Sequence, residues 1–534
     1  MVTAEVCRQE WTICYDANGG MMDENTLKSG EESGDWSKVE ISGEQEDGKA
    51  EASVSAVMLS GKRTHLRINT LTVDAASREG YTLIGWNTKP DGSGTSVGLG
   101  SRISYEEGMT LYAIWKKWTP SEAFLWEESG SGIMITGLAD AWPGEDAEDR
   151  DWLVIPAEIE GKAVYTIAKD AFANSSFTRV VLPLGLKQVE ARAFENSAVE
   201  ELYLYDDIQS ISDYSFAGCE NFTSLHINAV EEPVYSRNYF AAFADKFDYL
   251  LSIRDQDKIV LFSGSSTRFG YDSQAIEEAF AAYKAVNMGV FAYTNALPQL
   301  ELIRSCMKEG DILIDSPEFD AAQRQFCTQN DLGDDFYCML EANYDMLTLL
   351  DLREYSGVFS SLTTYLKNKE GMEALSYADT PAAYDEDGYA VDTPSYNRQG
   401  DYILYRPNAD SVDPVYGLGV AYTKEALSKE SFIDPLNREL SRFTEAGVRV
   451  FFTYAPRNKY AISEESDPGA RAELETYLAE NLCVPVLGTL EESLYEGTYL
   501  YGTDNHLSTE GVAIRTARII EELEKALNSQ DAGK

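Results

Sequence analysis

VYTIAKDAFANSSFTRVVLP, residues 164–183, is one unit of an internal repeat that decides the fold of the middle of this chain. The same apolar positions return about every 22 residues in the units that follow. They are Ile167, Val189 and Ile211, then Phe172, Phe194 and Phe216, then the pairs Val180 and Leu182, Leu202 and Leu204, and, after a one-residue slip, Leu225 and Ile227. A fixed period in this range indicates a solenoid in which each unit adds a short strand and a turn to a shared core. We therefore predict that these side chains are buried and that neighbouring domains cap the stack.

The repeat unit, with Leu182-Pro183 after its strand, resembles the BspA-type leucine-rich repeat of secreted and surface bacterial proteins. We assign residues 119–235 to this solenoid. The resemblance implies that a partner, either a host or surface protein or a glycan, would be bound by side chains that point outward from the strands. The candidates are Arg179, Glu201, Tyr203 and His226.

Residues 1–118 have the pattern of strands joined by tight turns. YDANGG (15–20) follows a short apolar run, and REGYTLIGWNTKPDGSG occupies residues 78–94. LYAIWK (111–116) alternates as a half-buried strand does. These blocks resemble the Listeria–Bacteroides repeat, a β-grasp-like module of bacterial surface proteins. The resemblance implies a spacer or an adhesive unit whose aromatic residues, Trp86 among them, pack in the core.

Residues 245–534 alternate strand-like and helix-like patterns. Short apolar runs at 258–262, 285–291 and 448–454 are separated by segments with helical periodicity, such as 273–284. This alternation is typical of a mostly parallel sheet that is covered by helices on both faces. We predict a three-layer α/β/α domain, and in such sheets active sites gather at the carboxyl ends of the strands.

Gly264-Ser265-Ser266 follows the first of these strands and places two hydroxyl groups in a strand-to-helix turn. The turn is not a P-loop, because no Gly-Lys-Ser/Thr follows it. A hydroxyl nucleophile needs a base, usually a histidine. The only histidine of this domain is His506, just before the last predicted helix, and Asp504 lies two residues before it.

Four segments of this domain, taken in order, resemble the SGNH (GDSL-like) hydrolase and acyltransferase superfamily. They are KIVLFSGSSTRFGYDS (258–273), VNMGVFA (286–292), EGDILIDSPEF (309–319) and DNHLSTEG (504–511). Within the superfamily, they look most like the acyl-transfer proteins of teichoic-acid D-alanylation. The resemblance implies a flavodoxin-like sheet and a serine acyl-enzyme. The residues that it implies are Ser266 as nucleophile, His506 as base, and the N–H groups of Ser266 and Gly289 as oxyanion hole. We add Asp504 as the acid that orients the base, and Arg268, Asn287 and Glu318 as substrate-binding residues.

Two departures from the superfamily pattern leave alternatives open. Glu318 stands where the third block usually has an asparagine that donates to the oxyanion, and an ionised carboxylate only accepts. The superfamily commonly has its aspartate three or four residues before the histidine, whereas Asp504 is two before His506. The alternative for Ser266 is to cap the helix that follows it. The alternatives for His506 and Asp504 are a structural hydrogen bond and a solvated loop acid.

Composition excludes several classes of function. The formal net charge of −46 predicts no nucleic-acid partner. Three histidines far apart, and seven cysteines without a C-x-x-C pair, predict no metal site, and we expect no cofactor. No run approaches the roughly 18 apolar residues of a membrane span. We expect an extracellular or cell-surface location, with a signal peptide removed.

The resemblances together imply a serine esterase or acyltransferase that acts on acyl groups of cell-wall or surface glycans and is targeted by two repeat modules. The alternative is a surface adhesin or protein-interaction protein whose SGNH-like domain is catalytically inactive.

Overall fold

A computed structural model of the chain describes residues 7–23, 37–40, 49–58, 67–104, 108–139, 150–231, 240, 242–340, 343–369, 397–416 and 419–531. These residues form two compact units. Unit 1 contains the described residues up to 231 together with 331–369, and unit 2 contains 240–330 together with 397–531. The predicted domains 1–118, 119–235 and 245–534 stay a prediction. The described residues of the first two lie in one compact unit, which also contains the described part of 331–369.

The α-helices of the described residues are, in chain order, α1 (Ala242–Ser252), α2 (Ser265–Arg268), α3 (Ser273–Ala279), α4 (Ala296–Ser305), α5 (Ala321–Phe326), α6 (Asp334–Leu340), α7 (Val358–Lys369), α8 (Asp434–Glu445), α9 (Pro468–Asn481), α10 (Leu490–Ser493) and α11 (Thr509–Asp531). The strands of unit 1 are β1 (Cys7–Asp16), β2 (Met21–Met22), β3 (Ser37–Glu40), β4 (Lys49–Met58), β5 (Arg67–Asn69), β6 (Ala76–Ser77), β7 (Tyr81–Asn87), β8 (Ser96–Val97), β9 (Arg102–Ser104), β10 (Thr110–Lys117), β11 (Phe124–Ser129), β12 (Gly132–Leu138), β13 (Trp152–Val154), β14 (Glu158–Ile159), β15 (Lys162–Ile167), β16 (Arg179–Val181), β17 (Gln188–Val189), β18 (Glu201–Tyr205), β19 (Ser210–Ile211) and β20 (Ser224–Asn228). Those of unit 2 are β21 (Lys258–Phe262), β22 (Lys284–Asn287), β23 (Ile312–Asp315), β24 (Arg449–Thr453), β25 (Arg457–Asn458), β26 (Val486–Leu487) and β27 (Leu494–Tyr495).

The first part of unit 1 is a mixed sheet with the strand order β3-β4-β1-β10-β7-β8. Its β1–β10 pair is parallel, whereas β1–β4 and β10–β7 are antiparallel. Trp86 is fully buried, and its ring packs edge-on against Tyr15 with ring centroids 4.9 Å apart. The indole N–H of Trp115 donates to the carbonyl of Ala17 at 2.7 Å. The aromatic side chains thus fasten the turns of this module to its sheet, and Trp86 lies in its core as predicted.

The solenoid of unit 1 carries two parallel ladders, β13-β16-β18-β20 and β12-β15-β17-β19. Arg179 of β16 pairs with Glu201 of β18, 22 residues later, which matches the sequence period. The rings of Phe172 and Phe194 stack at 5.1 Å, and those of Phe194 and Phe216 stack at 4.8 Å and lie 3° from parallel. We call these three rings the phenylalanine stack. It buries the repeated aromatic position of each unit, as predicted.

Residues from 331–369 close one end of the solenoid. Phe359 of α7 packs on Phe216 with ring centroids 5.1 Å apart, and so adds another ring to the phenylalanine stack. The Asp213 carboxylate accepts the N–H groups of Phe359 at 2.8 Å and of Ser360 at 3.0 Å. These N–H groups belong to the first turn of α7, where the helix itself offers them no acceptor. This end of the solenoid is therefore closed by residues from far along the sequence.

Unit 2 is built on a five-stranded sheet with the order β22-β21-β23-β24-β26 and only parallel ladders. One face of the sheet packs on α3 and α11 through a cluster that includes Ile259, Ile314, Ile276 and Leu523. The first strand of the chain in this unit, β21, lies inside the sheet and is buried along its whole length. Because β21, β22 and β23 are parallel, the loops that follow them leave the sheet at the same edge.

Among the residues described above, no helix combines the length and the apolar character needed to cross a membrane.

Candidate functional site

The loop after β21 turns directly into the short helix α2. Gly264 precedes the helix, and a methyl group at this position would lie 2.3 Å from the Cβ of Ala292. Only glycine fits there, because the chain after β22 passes so close. This close approach places Ser265 at the first position of α2, with 5% of its surface exposed.

Ser265 is the serine that contacts the histidine. The Nε2 atom of His506 lies 2.8 Å from the Ser265 Oγ, which is hydrogen-bond distance. The predicted nucleophile, Ser266, is fully buried, and its hydroxyl has no hydrogen-bond partner among the residues that the structure describes. The serine–histidine contact that the sequence predicted is therefore present, but one residue earlier in the chain.

His506 is held in its neutral form. Burial is the main reason, and the positive charges of Arg268 and Arg406 add to it, so that the pKa of His506 falls to about 3. The imidazole packs on the ring of Phe269, with ring centroids 4.4 Å apart. A neutral imidazole can accept a proton from a serine hydroxyl, so the ring is in the protonation state that a general base needs at neutral pH.

Asp504 does not orient this imidazole. Its carboxylate accepts the backbone N–H groups of Val415 at 2.8 Å and of Tyr416 at 3.1 Å. The backbone N–H of His506 donates instead to the hydroxyl of Thr503, at 2.8 Å. Asp504, the acid of the expected triad, thus binds the backbone of Val415 and Tyr416. Ser265 and His506 form a two-residue dyad instead.

Glu318 lies between the serine loop and the histidine loop. One of its oxygens, Oε1, accepts the backbone N–H of Ser266 at 2.9 Å. The other, Oε2, accepts the side-chain amide of Asn505. Burial raises the pKa of the Glu318 carboxyl, and the bonds from Ser266 counteract this rise.

Gly289 lies beside α2. A methyl group on it would lie 2.5 Å from the backbone nitrogen of Arg268, so the two segments are in close contact. Its N–H donates to the Asn287 Oδ1 at 3.0 Å. The Asn287 amide in turn donates to the Thr267 carbonyl at 2.8 Å. Both N–H groups that were expected to form the oxyanion hole, those of Ser266 and Gly289, therefore already have acceptors in this conformation.

The three predicted substrate-binding residues are all buried. Arg268 and Asn287 have no exposed surface, and Glu318 has 3%. Asn287 also donates to the carboxylate of Asp401, at 2.9 Å. Their hydrogen bonds are made within the protein, so in this conformation they support the loops of the site.

Exposed tyrosines are attached to the loops around His506. Tyr416, whose backbone N–H is bound by Asp504, is 63% exposed. Tyr501 is 44% exposed, and its N–H donates to the carbonyl of His506 at 2.9 Å. A tyrosine has an apolar ring and a polar hydroxyl group, so an exposed tyrosine suits a flat ligand that also forms hydrogen bonds.

Sequence reasoning missed several residues of this site. They are Ser265, Phe269, Tyr416, Tyr501, Thr503 and Asn505. A signal for Ser265 existed, because two adjacent serines follow Gly264. Nothing in the local sequence distinguishes them.

Comparison with known families identifies two modules of unit 1. Residues 156–243 match the BspA type leucine rich repeat region, in six copies, and residues 62–114 match the Listeria–Bacteroides repeat domain. A search of curated proteins found no match to the chain. The two predicted repeat modules are therefore confirmed. Both are typical of bacterial surface proteins, and leucine-rich repeats suggest a role in protein interaction.

Proposed function

We propose that unit 2 is a serine ester hydrolase or acyltransferase of the SGNH type, with Ser265 as nucleophile and His506 as base. The observation that carries this proposal is the 2.8 Å contact between the His506 Nε2 and the Ser265 Oγ. Its position supports the proposal too, because Ser265 follows the carboxyl end of β21 in a parallel sheet, where active sites of such folds gather.

The proposed reaction proceeds through an acyl-enzyme. The Ser265 oxygen attacks the carbonyl carbon of an ester while the Nε2 of His506 takes the hydroxyl proton. The tetrahedral intermediate collapses, the ester bond to the alcohol breaks, and His506 returns the proton to the leaving alcohol oxygen. Water or another hydroxyl then attacks the acyl-serine in the same way, which gives hydrolysis or acyl transfer.

One of the two proposed oxyanion donors must change its acceptor during this reaction. Ser266 N–H is bound to Glu318, and Gly289 N–H is bound to Asn287. Catalytic hydrogen bonds are often formed only in the complex with substrate. A substrate carbonyl next to Ser265 would compete with one of these two acceptors.

The proposed substrates are acyl groups on cell-wall or surface glycans. Tyr416 and Tyr501 support this class, because exposed rings on the loops around His506 offer stacking surfaces for sugar rings. The repeat modules are typical of bacterial surface proteins, where such glycans occur. We further propose that the protein acts outside the cell or at its surface, and that the solenoid binds a protein partner.

The test compares two neighbouring serines. Wild type, Ser265→Ala and Ser266→Ala are assayed with p-nitrophenyl acetate and with a fluorescent fluorophosphonate, which labels activated serines. The proposal expects Ser265→Ala to lose hydrolysis by about 10³-fold or more and to lose labelling. The Ser266→Ala variant is the matched control, because it removes the same atom one residue away and should keep both signals. Loss of both signals only in Ser266→Ala would contradict the assignment of Ser265.

A second candidate function is a surface adhesin with an inactive unit 2. The observation that favours it is the occupation of both expected oxyanion donors by Glu318 and Asn287. Losing one such donor reduces turnover by roughly 10²–10³-fold. A folded wild type that neither hydrolyses the ester nor takes the label would favour this function, and binding to immobilised glycans and proteins would be measured next.

A further inference from the structure

We propose that Glu318 is a positioning residue that keeps Ser265 and His506 at hydrogen-bond distance from each other. Its two oxygens bind two donors, the backbone N–H of Ser266 and the side-chain amide of Asn505. Each donor belongs to the chain neighbour of one member of the pair, since Ser266 follows Ser265 and Asn505 precedes His506. This inference rests on the proposed function for its catalytic consequence, but its geometry is testable by itself.

The orientation of the Asn505 amide is fixed by a second contact. The hydroxyl of Thr503 donates to the Asn505 Oδ1 at 3.0 Å, so the NH₂ group of this amide faces Glu318. Thr503 also accepts the N–H of His506, at 2.8 Å. The histidine loop is therefore one hydrogen-bonded turn, and Glu318 binds it at a defined point.

Glu318 is rigid enough to fix a distance. Only 3% of its surface is exposed, and both carboxylate oxygens accept a hydrogen bond. Moving a buried carboxylate away would leave two donors without their acceptor, which is unfavourable in a buried site. The planar carboxylate thus sets the separation between the loop after β21 and the loop before α11.

Glu318 does this without touching the reacting atoms. The hydrogen bond of the Ser265 hydroxyl is made with His506, at 2.8 Å, and Glu318 binds only the neighbouring residues. A carboxylate in this place cannot act as the side-chain donor that the superfamily pattern expects. The replacement of that asparagine by glutamate therefore exchanges an oxyanion donor for a link between two loops.

The test uses the imidazole of His506 as a reporter. The chain has three histidines, so ¹⁵N-histidine labelling of the full chain gives three ring systems to resolve by NMR. The signal of His506 is assigned by its loss in His506→Gln, and Ser265→Ala shows how the ring nitrogens shift when the serine contact is removed. We expect Glu318→Ala to shift the His506 ring nitrogens in the same direction as Ser265→Ala.

The matched control is Glu318→Gln, which retains an oxygen that can accept the Ser266 N–H. Its NH₂ group cannot accept the Asn505 amide, whose orientation is held by Thr503, so we expect Glu318→Gln to shift the His506 signal less than Glu318→Ala does. Asn505→Ala removes only the link on the histidine side and should give a smaller shift than Glu318→Ala. It also provides the test if Glu318→Ala does not fold, which thermal melting followed by circular dichroism would reveal.

The kinetic expectation is a loss in kcat of about 10²-fold for Glu318→Ala, because a misplacement of about 1 Å has that effect on a catalytic pair. KM should stay within about twofold, since Glu318 does not bind substrate, and Glu318→Gln should recover most of kcat.

Two results would overturn the inference. One is an unchanged His506 signal in a folded Glu318→Ala protein, whatever its activity. The other is an increase in kcat, which would mean that the carboxylate obstructs the Ser266 N–H rather than positioning the pair. If the wild type lacks esterase activity altogether, the proposed function fails, while the NMR shifts still decide whether Glu318 holds the two residues together.

Discussion

Two contacts of the molecule are encoded in the sequence in different ways. One is the phenylalanine stack of unit 1, and the other is the Ser265–His506 pair of unit 2. In the solenoid, Phe194 lies between two rings of the same kind, at 5.1 and 4.8 Å. In unit 2, one serine meets one histidine, and the two segments are joined through Glu318. A repeated contact is specified several times by the sequence, whereas the pair is specified once. A substitution at one repeated position therefore leaves the other units in place, whereas a substitution at either member of the pair removes the contact.

Ester hydrolysis should respond very differently to the loss of His506 in unit 2 and to the loss of His226 in the solenoid. His506→Ala should reduce ester hydrolysis by about 10⁴-fold, because it removes the proposed base. His226→Ala should change it by less than about twofold, because His226 is a stacked residue of the solenoid, with its ring 4.2 Å from that of Tyr203. Initial rates with p-nitrophenyl acetate measure both. Equal losses in the two variants would show that the site has been wrongly located.

The next effect concerns the solenoid. Phe194→Ala should lower the free energy of unfolding of unit 1 by about 3–5 kcal/mol, because it empties a fully buried position between two rings. Phe194→Leu is the matched control and should lose less, since it fills much of the space. Urea unfolding of the full chain, followed by hydrogen exchange of unit 1 amides, gives the measurement. A loss below about 1 kcal/mol for Phe194→Ala would mean that the stack does not stabilise the solenoid.

A change of pH should affect kcat/KM least of all. Since the pKa of His506 is lowered to about 3, its imidazole stays neutral throughout the range from pH 5 to 8. We expect kcat/KM to vary by less than about twofold over this range and to fall only as the pH approaches that pKa. An imidazole with the ordinary pKa of about 6.5 would lose about thirtyfold at pH 5. A descending limb centred near pH 6.5 would therefore contradict the buried, neutral state of His506.

The same contrast explains how much of the fold could be predicted. The sequence was sufficient for the solenoid core, because Phe172, Phe194 and Phe216 recur with one period and their burial follows from it. It was not sufficient for Phe359, which continues the stack but stands outside the period. The assignment of 331–369 to unit 1 could not be derived, since it depends on contacts between segments far apart in the chain.

The sequence predicted that Ser266 meets His506, whereas the structure places its neighbour Ser265 against the imidazole. That the serine turn, Gly289 and His506 form one active site stays a prediction. One step along an α-helix turns a side chain by about 100°, so the choice between Ser265 and Ser266 depends on where α2 begins. The role of Asp504 was equally out of reach, because its partners, Val415 and Tyr416, lie on a segment without a recognisable pattern.

The most direct test of the central claim is to locate the serine that reacts. The wild-type protein is labelled with a fluorophosphonate and digested, and the peptide that contains residues 258–268 is fragmented in a mass spectrometer. We expect a phosphonate on Ser265 of the wild type, and no adduct in His506→Ala. An adduct on Ser266, or a folded protein in which neither serine reacts, would contradict it.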